Sequence, residues 1–143
     1  MTDTAPVAAT AWTVGGITVT RVEEMLTPGI PIAAFIGDYR ADDLESNRWL
    51  SAYVGDDDTM PLSFHTYAFE AGGKRILVDT GCGNHKTRYG MTAPLFGNLD
   101  TPYLERLSAA GFPPESVDVV ICTHLHVDHV GWNTRLEGDR WVP

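Results

Sequence analysis

Apolar and polar residues alternate along Gly16-Ile17-Thr18-Val19-Thr20-Arg21-Val22-Glu23, the two-residue period of a strand with one buried face. A second strand is predicted over Leu62–Ala71, which carries Phe64, Tyr67 and Phe69; Gly72-Gly73 closes it as a hairpin turn, and Arg75–Thr80 returns. Val117-Asp118-Val119-Val120-Ile121-Cys122 reads as a buried strand, because β-branched residues in a short apolar block favour one. Between these strands a helix opens at Asp100-Thr101-Pro102, with Thr101 as cap, Pro102 at the first helical position and Leu104 and Leu107 facing inward. Gly111, Pro113 and Pro114 end it. Strands alternating with a helix predict an α/β layered fold.

A long connection, Met25–Pro61, separates the first strand from the hairpin. It holds an apolar piece, Pro28–Ile36, and a predicted helix over Asp42–Ala52 with Leu44, Trp49 and Tyr53 along one face. Apolar connections of this length often form a lid or substrate wall; structural packing or a dimer contact explains the segment equally well. Asp56-Asp57-Asp58 reads as a solvated loop, without the spacing of an EF-hand.

Directly after the last predicted strand stands His124-Leu125-His126-Val127-Asp128-His129, an H-x-H-x-D-H cluster at the position where scaffolds deliver reactive side chains into loops. Three imidazoles and a carboxylate within six residues are a ligand set for a first-row metal, and Zn²⁺ suits nitrogen and oxygen ligation without thiolate. Residues two apart in an extended segment project to one side, so His124 and His126 can close on one ion. Asp128 and His129 lie beyond them, where a turn aims both at a neighbouring position. So short a segment cannot easily wrap one tetrahedral ion, but it can supply half the ligands of two. A two-metal site suits hydrolysis, since it activates a water and polarises the scissile bond. The plainer alternative is a histidine-rich surface loop.

Composition adds constraints. The chain has 143 residues, 43% hydrophobic and 20% charged, which fits one ordinary soluble domain. A net charge of −9 disfavours nucleic-acid partners and anionic membrane surfaces. No segment is apolar enough to span a bilayer. Met1–Thr10 lacks a basic n-region and a long apolar stretch, so residues 1–14 read as a flexible leader and the expected location is cytoplasmic. With two cysteines and no export signal, both are expected as free thiols, Cys122 as a small core residue. Cys82 follows Asp79-Thr80-Gly81 in a Gly-rich turn, and a ligand or redox role there is the minor alternative.

The histidine cluster, the strand before it and Ile76-Leu77-Val78-Asp79-Thr80-Gly81 resemble the metallo-β-lactamase superfamily over roughly residues 17–138. The resemblance implies an αββα sandwich with a mixed or antiparallel sheet, and a metal-dependent hydrolase with zinc, two ions per complete site, manganese or iron being alternatives. By it, His124 and His126 hold the first metal, and Asp128 and His129 the second. Asp128 also touches the attacking water, and Asp79 orients the metal loop without being a ligand. The expected substrate is a small molecule, a lactone or other ester-like compound; thioester and phosphotriester hydrolysis are the rivals within the same fold.

The chain departs from the family after His129, where Gly131–Pro143 contains no His and Asp139 as its sole Asp. The family's third His, bridging Asp and last His have no counterpart. The expectation is therefore an N-terminal half of the domain, residues 1–143, with a C-terminal half absent and an exposed apolar sheet face. A catalytically inert fragment and an Fe(II) oxygenase are the readings of a different class. His65 is expected as an ordinary strand residue, His85 as a candidate for the pocket mouth, Trp132 as a core residue or a cover over the site, and a homodimer as an association state.

Overall fold

The computed structural model describes residues 10–27, 29–40, 42–55 and 57–143. Along the chain run β1 (Thr10–Val14), β2 (Ile17–Leu26), β3 (Ile30–Pro31), α1 (Asp42–Ser46), β4 (Thr59–Met60), β5 (Ser63–Ala71) and β6 (Lys74–Val78). Then follow α2 (Ala93–Phe96), α3 (Tyr103–Ala109), β7 (Val119–Ile121), β8 (Arg135–Glu137) and β9 (Arg140–Val142). The residues divide into two compact units, one ending at Met25 and resuming at Phe64–Pro143, the other Leu26–Ser63.

In the larger unit a five-stranded sheet has the order β1-β2-β5-β6-β7. β6 returns antiparallel to β5 with Ala71 opposite Lys74, a two-residue loop in which Gly72 and Gly73 have φ of 58° and 72°. Both central positions of such a turn need positive φ, which is why glycine occupies them. β7 lies parallel to β6, pairing Ile76, Leu77 and Val78 with Val119, Val120 and Ile121. A parallel neighbour requires a crossover, and α3 lies within it. The sheet is mixed and the helices are few, the α/β class expected.

The side chains that bind sheet to helix alternate as a strand requires. Phe64, Thr66 and Ala68 of β5 are buried on one face while His65, Tyr67 and Phe69 of the other are half-buried. Val22, Ala68 and Leu77 pack with Tyr103, Leu107 and Phe112 in one cluster. The buried Tyr103 hydroxyl meets Thr66 Oγ1 at 2.5 Å, so neither polar atom is left without a partner. α3 ends as predicted: Gly111 has φ 91°, and the Phe112 amide donates to the Leu107 carbonyl at 3.0 Å.

Four expectations need correction. Thr10–Val14 is not leader but a strand, antiparallel to β2 through a Gly15-Gly16 turn; residues 1–9 lie outside the described residues. Thr101 does not cap α3, because its hydroxyl turns to Asn84 Oδ1 and Glu24 Oε1 and its amide donates to Asn84 Oδ1. β7 is exposed rather than buried: Val119, Val120 and Ile121 are 38%, 42% and 47% accessible. It is the last strand of its sheet. Cys122 shares that openness and is half-buried, its Sγ accepting from Asn133 Nδ2.

The smaller unit has a sparser interior. β3 and β4 pair antiparallel, and the Ile32 amide donates to the Asp58 carbonyl. The predicted helix over 42–52 is split into α1 and a 3₁₀ segment Arg48–Ala52, and it buries no side chain; Trp49 and Tyr53 are exposed. The acidic loop is local, with Asp57 accepting from Thr59 and Asp58 from the Tyr39 hydroxyl; Asp56 lies outside the described residues. Burial and the Asp58 hydrogen bond push the Tyr39 phenol up to about 12.

Candidate metal centre

β7 ends at Ile121, and the histidine segment leaves it as a loop with no regular structure. The expected turn is present, since the His129 amide donates to the His126 carbonyl at 3.1 Å and folds residues 126–129 back. That fold brings His126 and His129 each beside the His124 ring. The His124 ring centroid lies 4.5 Å from that of His126 and 3.9 Å from that of His129. Leu125, between the first two, points away and is 82% accessible.

The β6 end fixes where this loop sits. The Asp79 amide donates to the Ile121 carbonyl, the Thr80 amide to the His129 carbonyl, the Gly131 amide to Gly81, and the Trp132 amide to Thr80. Gly131 lies so close to Cys82 that a Cβ there would stand 1.9 Å from the Cys82 carbonyl carbon, so only glycine fits. Arg88 spans the same junction, donating to the carbonyls of Cys82 and Val127.

Asp79 holds the loop through side chains as well. Its Oδ1 accepts from the Thr123 amide at 2.8 Å, and its Oδ2 lies 2.8 Å from His129 Nδ1. Its φ is 56°, a left-handed conformation that Asp tolerates better than most residues and that recurs at functional sites. Burial would raise the Asp79 carboxyl, but the hydrogen bonds from His129 and Thr123 outweigh it and hold the group below the usual carboxylate range.

A donor set must present bare lone pairs. With Nδ1–H given to Asp79, His129 keeps a lone pair at Nε2, and this atom faces Asp128 Oδ2 at 3.3 Å. Either a proton on Nε2 or a cation shared with Asp128 reconciles two acceptors so placed. Ligands about 2.1 Å from one tetrahedral ion stand about 3.4 Å apart, so this pair fits the group in chemistry and spacing. Among the described residues no three His, Cys, Asp or Glu side chains gather around one centre. His124 and His126 are exposed beside the pair.

The remaining candidates separate from this cluster. His85 is exposed with φ 60° and borders surface clefts with Asn84 and Lys86. His65 packs edge-on against Tyr67. Trp132 stacks on Tyr103 at 5.2 Å. Cys82 is buried, and burial and the nearby Glu24 and Asp128 carboxylates push its thiol up. Sequence reasoning missed Glu24, whose signal was a carboxylate in phase with the buried Val22 on β2.

The sequence profile of the metallo-beta-lactamase superfamily matches residues 61–143, and the chain belongs to that family. It is 30% identical over 80 residues to the N-acyl homoserine lactonase AiiB of Agrobacterium fabrum, covering 50% of this chain and 28% of that protein. It is 38% identical over 61 residues to the ribonuclease TTHA0252 of Thermus thermophilus, covering 43% of this chain and 11% of that one. Among solved structures it superposes on AidC, a dizinc quorum-quenching lactonase, with a TM-score of 0.63 at 19% identity, over 87% of this chain and 38% of AidC. The chain thus spans well under half the length of these relatives. No helix among the described residues is long and apolar enough to cross a membrane.

Proposed function

We propose that this chain carries one ligand-bearing loop of a metal-dependent hydrolase, with zinc as the metal and two ions in the complete site. The Asp79–His129–Asp128 line supports this reading most directly, because an imidazole that gives Nδ1–H to Asp79 turns a lone pair at Nε2 toward a carboxylate oxygen. His124 and His126 serve the first ion, and Asp128 and His129 the second. When bound, the metal supplies Lewis acidity and an activated water. His124, His126 and His129 present imidazole nitrogens to it, and Asp79 keeps the His129 ring turned. Asp128, half-buried beside them, holds the proton released at its free carboxylate oxygen.

The substrate is a lactone or other ester-like small molecule. The lactonase relatives support this choice. The ribonuclease relative favours a phosphodiester instead, against which the net charge of −9 weighs. Thioester or phosphotriester hydrolysis is the remaining alternative, and a cytoplasmic homodimer the expected form. The test is metal content with turnover of lactones, aryl esters, thioesters, phosphotriesters and RNA by the full-length protein. Bound zinc and lactone hydrolysis, both lost in His126→Ala, are expected. A protein that holds no metal and hydrolyses none of these sinks the reading.

A further inference from the structure

We propose that Glu24 is a positioning residue for the histidine loop, a buried carboxylate that grips both sides of the junction on which the loop is hung. The inference deepens the metal-dependent reading and rests on it. Glu24 is 1% accessible and projects from β2 on the face of Val22. Its Oε2 accepts from the Cys82 amide at 2.5 Å. Its Oε1 accepts from the Gly83 amide at 3.0 Å, from Trp132 Nε1 at 2.7 Å and from Thr101 Oγ1 at 3.5 Å. No ion pair reaches this carboxylate among the described residues.

A buried carboxylate held only by neutral donors is costly, and an apolar side chain would fill the same space at less expense. The arrangement makes sense for what it connects. Three of the donors belong to the two segments of the junction, the 79–83 turn and the 129–132 segment. Those segments carry Asp79 and His129. Trp132 also donates its amide to the Thr80 carbonyl, and Gly131 donates to Gly81, so a shift at either grip passes directly to the Asp79–His129 contact. Gly81 reinforces the point: a Cβ there would stand 2.2 Å from Glu24 Oε2. Only an anion accepts from every one of these donors. In Glu24→Gln the side-chain amide must turn N–H toward an N–H, at the Cys82 end or at the Gly83–Trp132 end, and that end must lift.

The experiment measures zinc affinity by competition with a chromophoric chelator, and the visible spectrum of the Co²⁺ form, in full-length protein. Wild type, Glu24→Gln and Trp132→Phe are compared at a temperature where far-UV circular dichroism shows each folded. Glu24→Gln is expected to weaken zinc binding by about tenfold or more and to alter the Co²⁺ bands. Trp132→Phe, which removes one donor and keeps a ring over Tyr103, is expected to weaken it by roughly threefold. A Glu24→Gln protein that melts earlier yet keeps wild-type affinity and Co²⁺ bands overturns the proposal and leaves the metal reading intact. If Glu24→Gln does not fold, Trp132→Phe decides, and wild-type affinity in it overturns the proposal. Wild-type protein that retains no zinc overturns both.

Discussion

His129 Nδ1 lies 2.8 Å from Asp79 Oδ2, joining the histidine loop to the end of a strand 50 residues earlier in the chain. The contact sets the imidazole's tautomer, since the proton sits where the carboxylate can accept it, and therefore decides which nitrogen faces outward.

Asp79→Asn tests that contact. The amide keeps the shape but can turn its own N–H toward Nδ1, so the ring loses its fixed orientation. Zinc affinity is expected to fall about 10- to 100-fold, roughly 1.4–2.7 kcal/mol, with the secondary structure retained. Chelator competition measures it; unchanged affinity would show that Asp79 serves only Thr123.

Gly131→Ala is expected to be among the most damaging single-methyl changes in the larger unit. The new Cβ would meet backbone, 1.9 Å from the Cys82 carbonyl carbon, and backbone cannot swing aside as a long side chain can. A cost of about 3 kcal/mol is expected, a Tm lower by roughly 6–12 °C in a domain of this size. A thermal melt within 2 °C of wild type (about 0.5–1 kcal/mol) would mean that the two segments separate easily.

The cysteines are expected to differ in reactivity. Cys82 is fully buried and its thiol is pushed up by burial and by Glu24, whereas Cys122 is half-buried. Iodoacetamide in folded protein at pH 8 is expected to label Cys122 first, read by peptide mass. The sign for stability follows. Above the model-compound value of 9.0 the unfolded chain loses this proton while the folded chain keeps it, so stability falls as pH rises. Equal labelling of both thiols would contradict this picture.

Val119 and Ile121 share a sheet face with Ile76 and Val78, their register partners, and both are more than one-third exposed. The 143-residue chain made alone is expected to self-associate through this face and to bind a hydrophobic dye. Sedimentation velocity across a concentration series reads it, and Val119→Thr with Ile121→Thr reduces it. A monomer at every concentration rules the face out as sticky.

Much of this was legible before any coordinates. The Gly72-Gly73 hairpin, the Gly111 stop and the inward face of Leu107 follow from local rules that tertiary context did not disturb. The strand at Thr10–Val14 leaves little trace in the sequence because every one of its residues is exposed, so no buried face imposes an apolar alternation. The Asp42–Ala52 helix failed for a different reason: among the described residues its apolar face buries no side chain fully, and short helices with little packing are marginal. At the site, the histidine spacing announced the donors, and Asp79 was found with them. Glu24 was not, because its partners are two backbone amides, an indole and a hydroxyl, none of which leaves a mark in a motif.

The parallel pairing of β6 with β7 has a kinetic consequence. Ile76 cannot meet Val119 until the whole crossover between them has closed, whereas β5 and β6 zip from a two-residue turn. Loop closure of that length is slow compared with hairpin formation. The imidazoles therefore come under Asp79 only once that crossover has closed, and an ion captured earlier by the histidine segment is held without its supporting carboxylate. Zinc added at the start of refolding and zinc added to folded protein are expected to bind with different on-rates.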